Sequence, residues 1–180
     1  MPSYRQYART ACLLVGLMLT NWAIADTPSH AAVERVDTLG ADLHAVRLGR
    51  VIIAGQPSAA NLDAAKLLGV TTVINARAPR EMRWDEQAYV ESMGIDYYSI
   101  PISRASDTLD AEALNAITQR IEQGDSVLLH CASGNRVSAW VAVYLVEQHD
   151  LTVEDALVIA RKTGLTSAGL ERRVRRYLTD

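Results

Sequence analysis

The chain has 180 residues, 49% apolar and 22% charged, with 18 Lys plus Arg against 21 Asp plus Glu. That balance is too apolar for a disordered chain and too charged for a multi-span membrane protein, and it fits one globular domain. A formal charge of −3 gives no basic excess to hold a nucleic acid, and two cysteines cannot staple a disulfide-rich scaffold.

Residues 1–25 differ from the rest. Arg5 and Arg9 precede the apolar stretch Ala11 to Thr20, Ala23 and Ala25 supply an A-x-A cleavage pattern, and no acidic residue occurs before Asp26. This is the layout of a secretory signal, and about ten strongly apolar residues are too few to span a bilayer, which needs roughly 20. Cleavage after Ala25 is expected to place the chain in the periplasm with no remaining membrane anchor. The mature chain then holds 16 basic and 21 acidic side chains, a formal charge of −5. Cleavage also removes Cys12, so Cys131 becomes the single thiol, without a partner for an intramolecular disulfide.

Residues 26–41 form a lead-in with at most one short helix carrying Ala32, Val33, Val36 and Leu39, and residues 42–180 form the domain. A strand is expected over 50–54, paired with 43–48 across a turn at Gly49. Ser58 caps a helix over 59–68, ended by Gly69, and 70–75 is the next strand. A helix over 84–93, a strand over 95–100, a polar loop over 102–109 and a helix from Asp110 to Gln123 follow. The continuous apolar run Ser126 to Leu129 predicts a central strand covered on both faces. Residues 137–146 are apolar all round, as in a buried helix. Thr152 with Asp155 opens another helix like a capping box, and a last one spans 167–178. Strands alternating with helices predict an α/β three-layer sandwich around a central, largely parallel sheet. Arg172, Arg173, Arg175 and Arg176 in the last helix read as a solvated face of an acidic domain.

Chemistry concentrates in His130-Cys131-Ala132-Ser133-Gly134-Asn135-Arg136-Val137-Ser138, between a central strand and a buried helix. Ligands of open α/β sheets bind beyond the carboxyl ends of the strands, where this loop must lie. The amides of Ala132, Ser133, Gly134, Asn135 and Arg136 can curl round one point, at which the next helix aims its positive end. A tetrahedral oxyanion fits that cradle, with Arg136 as a permanently charged two-pronged donor. The same field favours the anionic form of Cys131.

These residues resemble the phosphate loop of the cysteine-dependent protein tyrosine and dual-specificity phosphatases. Upstream, Ala54-Gly55-Gln56-Pro57-Ser58, Thr72-Val73-Ile74-Asn75-Ala76-Arg77 and Tyr97-Tyr98-Ser99-Ile100-Pro101 are similar to landmarks of the bacterial phosphatase-like domain also found fused to beta-lactamase-like hydrolases. The resemblance covers about residues 43–163 and implies a protein-tyrosine-phosphatase-like fold. It also implies a cofactor-free, metal-independent enzyme acting on a phosphorylated protein or a small phosphate ester. Cys131 would attack phosphorus while the loop amides and Arg136 hold the oxygens.

One departure concerns the loop length. The phosphatase pattern has five residues between Cys and Arg, whereas Ala132 to Asn135 are four. Four resembles the rhodanese loop, which carries sulfur as a Cys persulfide, so a sulfurtransferase is the second enzymatic expectation. An anion-binding module without turnover is a third.

Counting from Cys131, Ser138 falls where phosphatases keep the hydroxyl that assists the leaving thiolate. His130 either steadies the loop and thiolate or is a satisfied histidine at a strand end. Arg77 either reaches the substrate or pairs with Glu81 or Asp85. Asp110 has a sufficient role as a helix cap, which leaves Asp107 as the expected general acid, although the family resemblance would place an acid nearer Ser103. His44 and His149 lack neighbours at metal-ligand spacing.

Overall fold

The computed structural model describes residues 32–124 and 126–180. The signal segment, Cys12, the cleavage site after Ala25 and the first part of the lead-in lie outside the described residues.

Among the described residues six strands form one sheet: β1 (Val33–Arg35), β2 (Ala45–Leu48), β3 (Val51–Ala54), β4 (Thr72–Asn75), β5 (Asp96–Ser99) and β6 (Val127–His130), in the order β1-β2-β3-β6-β4-β5. The three pairings around β6, β4 and β5 are parallel, and β1-β2-β3 is an antiparallel meander turning at Gly49. The described α-helices that accompany the sheet are α1 (Ala59–Leu67), α2 (Glu86–Ser92), α3 (Ala111–Gln123), α4 (Asn135–His149), α5 (Val153–Thr163) and α6 (Ala168–Thr179).

Side chains of a strand alternate between faces, and the core divides accordingly. Ile53, Ile74 and Leu129 join one apolar cluster with Leu114 and Ile117 of α3 and Trp140 of α4, whereas Ile52, Val73 and Leu128 join another with Leu62 of α1 and Val90 of α2. Helices therefore cover both faces, giving the three-layer sandwich. Helix α4 is buried nearly all round, as its composition requires, and its Trp140 Nε1 donates to Thr118 Oγ1 at 3.1 Å, so the indole is buried without an orphaned donor.

Two elements differ from the sequence expectation. Residues 33–35 are an edge strand rather than helix, held in register by β2 (Val33 opposite Leu48), and only Asp37–Leu39 forms a short 3-10 turn. Helix α4 begins at Asn135, two residues early, because Gly134 adopts the left-handed conformation (φ 85°) and caps it. Asn135 and Arg136 thus belong to the first helical turn.

The parallel strands β3, β6 and β4 end level with one another, since His130 lies opposite both Ala54 and Asn75. Gln56, Cys131 and Arg77 therefore leave the sheet at the same edge.

Candidate active site

Cys131 emerges from β6 and is 1% exposed. Its amide donates to Ala54 O at 3.3 Å, and Ala132 O accepts from Gln56 N at 3.2 Å, so the loop is stitched to the segment leaving β3. The α4 ladder starts with Ser138 N donating to Gly134 O at 2.9 Å, which leaves the amides of Asn135, Arg136 and Val137 without intrahelical bonds. The positive end of a fifteen-residue helix thereby faces the loop.

Asn135 braces this turn from outside. Its Oδ1 accepts from Thr166 N (2.8 Å) and Ser167 N (2.7 Å), and its Nδ2 donates to Thr166 Oγ1 (3.1 Å) and Ser133 Oγ (3.4 Å). One amide side chain thus ties the phosphate-type loop to the start of α6.

Arg136 is buried, and its guanidinium grips Glu81 with two parallel bonds, Nη1 to Oε1 at 2.9 Å and Nη2 to Oε2 at 2.8 Å, while Nη1 also donates to Ile102 O at 3.1 Å. Three of the five guanidinium N–H groups are so occupied. The two that remain, on Nε and Nη2, lie along one edge and form a second fork. Glu81 therefore orients Arg136 without exhausting it. The bond from Arg136 holds the Glu81 carboxyl below its usual range, against the opposing effect of burial.

Arg77 does not line the cleft above the loop. It donates to Gln56 Oε1 and Glu81 O, and its Nε lies 3.8 Å from Glu81 Oε2, so of the two carboxylates anticipated for it the structure selects Glu81; Asp85 instead caps α2 through Ala88 N. Arg77 thus supports the Glu81 side of the Arg136 clamp.

Beneath the loop lies a carboxylate that sequence reasoning missed. Glu86 is 1% exposed and accepts from Gln56 Nε2, Asn75 Nδ2 (3.3 Å), Tyr97 O–H (3.2 Å) and His130 Nε2 (2.9 Å). Burial acts to raise its pKa, yet the bonds from His130, Gln56 and Tyr97 prevail and hold it below the usual carboxylate range. An ionised carboxylate only accepts, so His130 carries its proton on Nε2. Burial, joined by the neighbouring Glu86 charge, pushes Tyr97 up to about 12, keeping its O–H a donor at neutral pH. His130 is thus fixed beside Cys131 through three upstream landmarks, Gln56, Asn75 and Tyr97.

Above the loop opens a cleft of about 900 Å³. Ala132, Ser133, Asn135 and Arg136 lie in its lining, the loop 104–107 on one side and α6 on the other. Asp107, on that loop, is the one carboxylate among the described lining residues. Ser138 Oγ is buried in α4 and has no hydrogen-bond partner among the described residues. Of the basic cluster of α6, Arg172 and Arg176 are exposed, as a solvated face requires, and with Arg173 they line the cleft, whereas Arg175 pairs with Glu154 and Glu171.

No family model matches the chain. Among solved structures, P. aeruginosa TpbA superposes with a TM-score of 0.63 at 23% identity, over 84% of this chain and 91% of TpbA, and TpbA in complex with pTyr gives 0.60 at 21%, over 83% and 89%. The core catalytic domain of the PP-IP phosphatase SIW14 from S. cerevisiae gives 0.59 at 14%, over 72% and 81%, and a DUF442 protein of Shewanella putrefaciens gives 0.54 at 25%, over 73% and 88%. The chain has the protein-tyrosine-phosphatase fold. In this fold the loop 131–136, the cap at Gly134 and the clamp on Arg136 meet at the carboxyl edge of the central strand.

Glu81, Glu86, Arg104 and three α6 arginines are site residues that sequence reasoning did not assign. Glu81 and Glu86 lie 55 and 44 positions from their partners Arg136 and His130, so no local spacing reports them. The arginines carried a signal, since 172, 173 and 176 share one face of a helix.

Proposed function

We propose that the chain is an exported cysteine-dependent phosphatase that hydrolyses phosphate monoesters through a phosphocysteine. The observation that carries this reading is the free fork of Arg136 beside the open amides of α4, both converging on the loop that begins at Cys131. Such a concave set of donors fits a tetrahedral, doubly charged oxyanion. The pTyr bound by TpbA and the PP-IP phosphatase activity named for SIW14 belong to proteins sharing the fold, and both are phosphate chemistries. Export rests on the charge, apolar and A-x-A pattern of residues 1–25.

In the first step the Cys131 thiolate attacks phosphorus opposite the ester oxygen. An S–P bond forms as the P–O bond breaks, and the leaving oxygen takes a proton from Asp107, the carboxyl group of the cleft wall. Arg136 and the amides hold the three equatorial oxygens and absorb the charge that gathers there. In the second step water attacks phosphorus, gives its proton to Asp107, and the S–P bond breaks to release inorganic phosphate. The Ser138 hydroxyl, unpartnered and buried near the loop, supplies a hydrogen bond to the departing thiolate. Glu81 and Glu86 touch no reacting atom; they position Arg136 and His130.

Turnover of an aryl phosphate by the mature protein tests the reading. Cys131→Ser should lose it while retaining phosphate binding, because the amides and Arg136 remain. Undiminished turnover in that variant would remove the nucleophile from the mechanism.

A further inference from the structure

The cleft over the loop is electropositive in a chain that is acidic as a whole. Arg104, Arg136, Arg172, Arg173 and Arg176 line it, against one carboxylate, Asp107. Among the described lining arginines only Arg136 forms an ion pair, with Glu81, which it shares with Arg77 behind the loop. Arg173 spends Nη2 on the backbone carbonyls of Ser103 (3.2 Å) and Thr108 (2.7 Å), and Arg176 donates to Asp107 O at 3.3 Å. A carbonyl dipole fixes such a side chain but does not cancel its charge. Arg104 and Arg172 meet no carboxylate and no hydrogen-bond acceptor among the described residues.

The adjacent flank of the same helix provides a contrast within the molecule. Arg175 pairs with Glu154 and Glu171, and Arg161 with Glu171. Among the described residues, two glutamates therefore pair with Arg175 outside the cleft, whereas the three cleft arginines of α6 have only Asp107 near them. Gathering like charges around one cavity is unfavourable unless an anion enters it, and low-dielectric walls focus the resulting field on the cavity.

The number of arginines exceeds what one phosphate needs. Arg136 with the α4 amides already provides for the reacting group, which leaves four guanidinium groups above it for other anionic groups of the same ligand. The other described lining residues are Ala, Ser, Gly, Asn and Leu170, with no aromatic ring among them to stack on an aryl ester.

From this we infer that the natural substrate is a small molecule carrying several phosphates, one seated against Cys131 and Arg136 and the others held by Arg104, Arg172, Arg173 and Arg176. The inference rests on the phosphatase reading for the seat of the reacting phosphate, and its test is separable from turnover. Asn135 belongs to the same device: by fastening Thr166 and Ser167 it sets the start of α6, and hence its arginine face, over the loop.

The test measures binding to mature Cys131→Ser protein, or to Cys131→Ala should the first not fold, by titration calorimetry. The probes are inositol hexakisphosphate, linear tripolyphosphate, a singly phosphorylated tyrosine peptide and inorganic phosphate. At least one of the two polyphosphates should bind at least tenfold more tightly than the peptide and than phosphate, and the tighter of them identifies a ring or a chain as the scaffold. Arg104→Gln and Arg172→Gln should each weaken the preferred polyphosphate roughly tenfold, as expected for loss of a charge-assisted hydrogen bond. Arg175→Gln, whose side chain is outside the cleft lining and paired with Glu154 and Glu171, should leave polyphosphate binding unchanged. Polyphosphates bound no better than phosphate, or bound tightly but without regard to Arg104 and Arg172, would overturn the proposal. Phosphate release by the wild-type protein is scored separately. Tight, arginine-dependent binding without release would keep the polyanion site and discard the hydrolase, whereas release from simple monoesters with no polyphosphate preference would do the reverse.

Discussion

Replacing Glu86 by Ala removes a buried acceptor on which four donors converge, from Gln56, Asn75, Tyr97 and His130. Each donor left unpaired costs about 1–3 kcal/mol, but water can enter the vacated space and serve some of them, so the sum is not realised. Breaking one side of a buried charged network typically costs about 3–5 kcal/mol, and that is the magnitude expected here. Against a total stability of about 5–15 kcal/mol this is large, and with a urea slope of about 1–3 kcal/mol per molar it moves the unfolding midpoint by roughly 2 M. Glu86→Gln should cost less, about 2 kcal/mol, because one amide oxygen still accepts while the new N–H2 faces donors. The pH dependence follows from the lowered folded-state pKa of Glu86. Stability from this carboxylate is fully present above its unfolded value, about 4.3, and is lost as pH falls through the lower folded value. Urea titrations at pH 7 and below pH 4 should therefore show the gap between wild type and Glu86→Gln narrowing in acid. A Glu86→Ala loss under 1 kcal/mol at pH 7, or a gap that stays constant in acid, would refute the role given to this network.

Further outcomes follow from the same geometry. Arg136→Lys should weaken phosphate binding by roughly 10- to 100-fold, since an ammonium cannot grip Glu81 and present a second fork at once; calorimetry reads this directly. Glu81→Gln loses the charge and one of the two parallel bonds to Arg136, and should lower kcat/KM on aryl phosphate by roughly 10- to 100-fold, with a loss of stability comparable to that of Glu86→Gln. Asp107→Asn should slow hydrolysis of alkyl phosphates far more than of nitrophenyl phosphate, whose leaving group needs little protonation, and equal slowing would remove Asp107 from the chemistry. Intact-mass measurement of exported protein should give a chain beginning at Asp26, and retention of residues 1–25 would contradict the assigned cleavage site.

The parts of this molecule that are legible in its sequence are those whose cause is local. Residues 126–136 announce themselves because an uninterrupted apolar strand, a Gly-bearing turn and an all-apolar helix follow in immediate succession, and only a central position in a parallel sheet buries such a run. Ser58, Asp110 and Thr152 are recognisable as caps for the same reason, each accepting from an amide two or three residues on. Strand β1 is not legible: Val33, Glu34 and Arg35 have too short a pattern to show a period, and their extended form is imposed by the edge of β2. The supports of the site are non-local as well. Glu86 looks like any acidic residue in the first turn of a helix, where charge favours it, and only the folded sheet brings His130 and Tyr97 to it. Composition was silent in one place. It read the α6 arginines as a solvated face, and Arg172 and Arg176 are exposed, but only the fold brings them over the cleft while Arg175 pairs with Glu154 and Glu171.

The central claim is that Cys131 accepts phosphorus, although four residues separate it from Arg136 as in a loop that carries sulfur. Incubating mature protein separately with an aryl phosphate and with thiosulfate, quenching each under conditions that preserve its adduct and weighing the Cys131 peptide distinguishes the two, because a phosphoryl group adds about 80 mass units and a persulfide sulfur about 32. The account predicts the heavier adduct with aryl phosphate, absent in Cys131→Ser. A persulfide that passes its sulfur to cyanide, with phosphate release no greater than in Cys131→Ser, would contradict it.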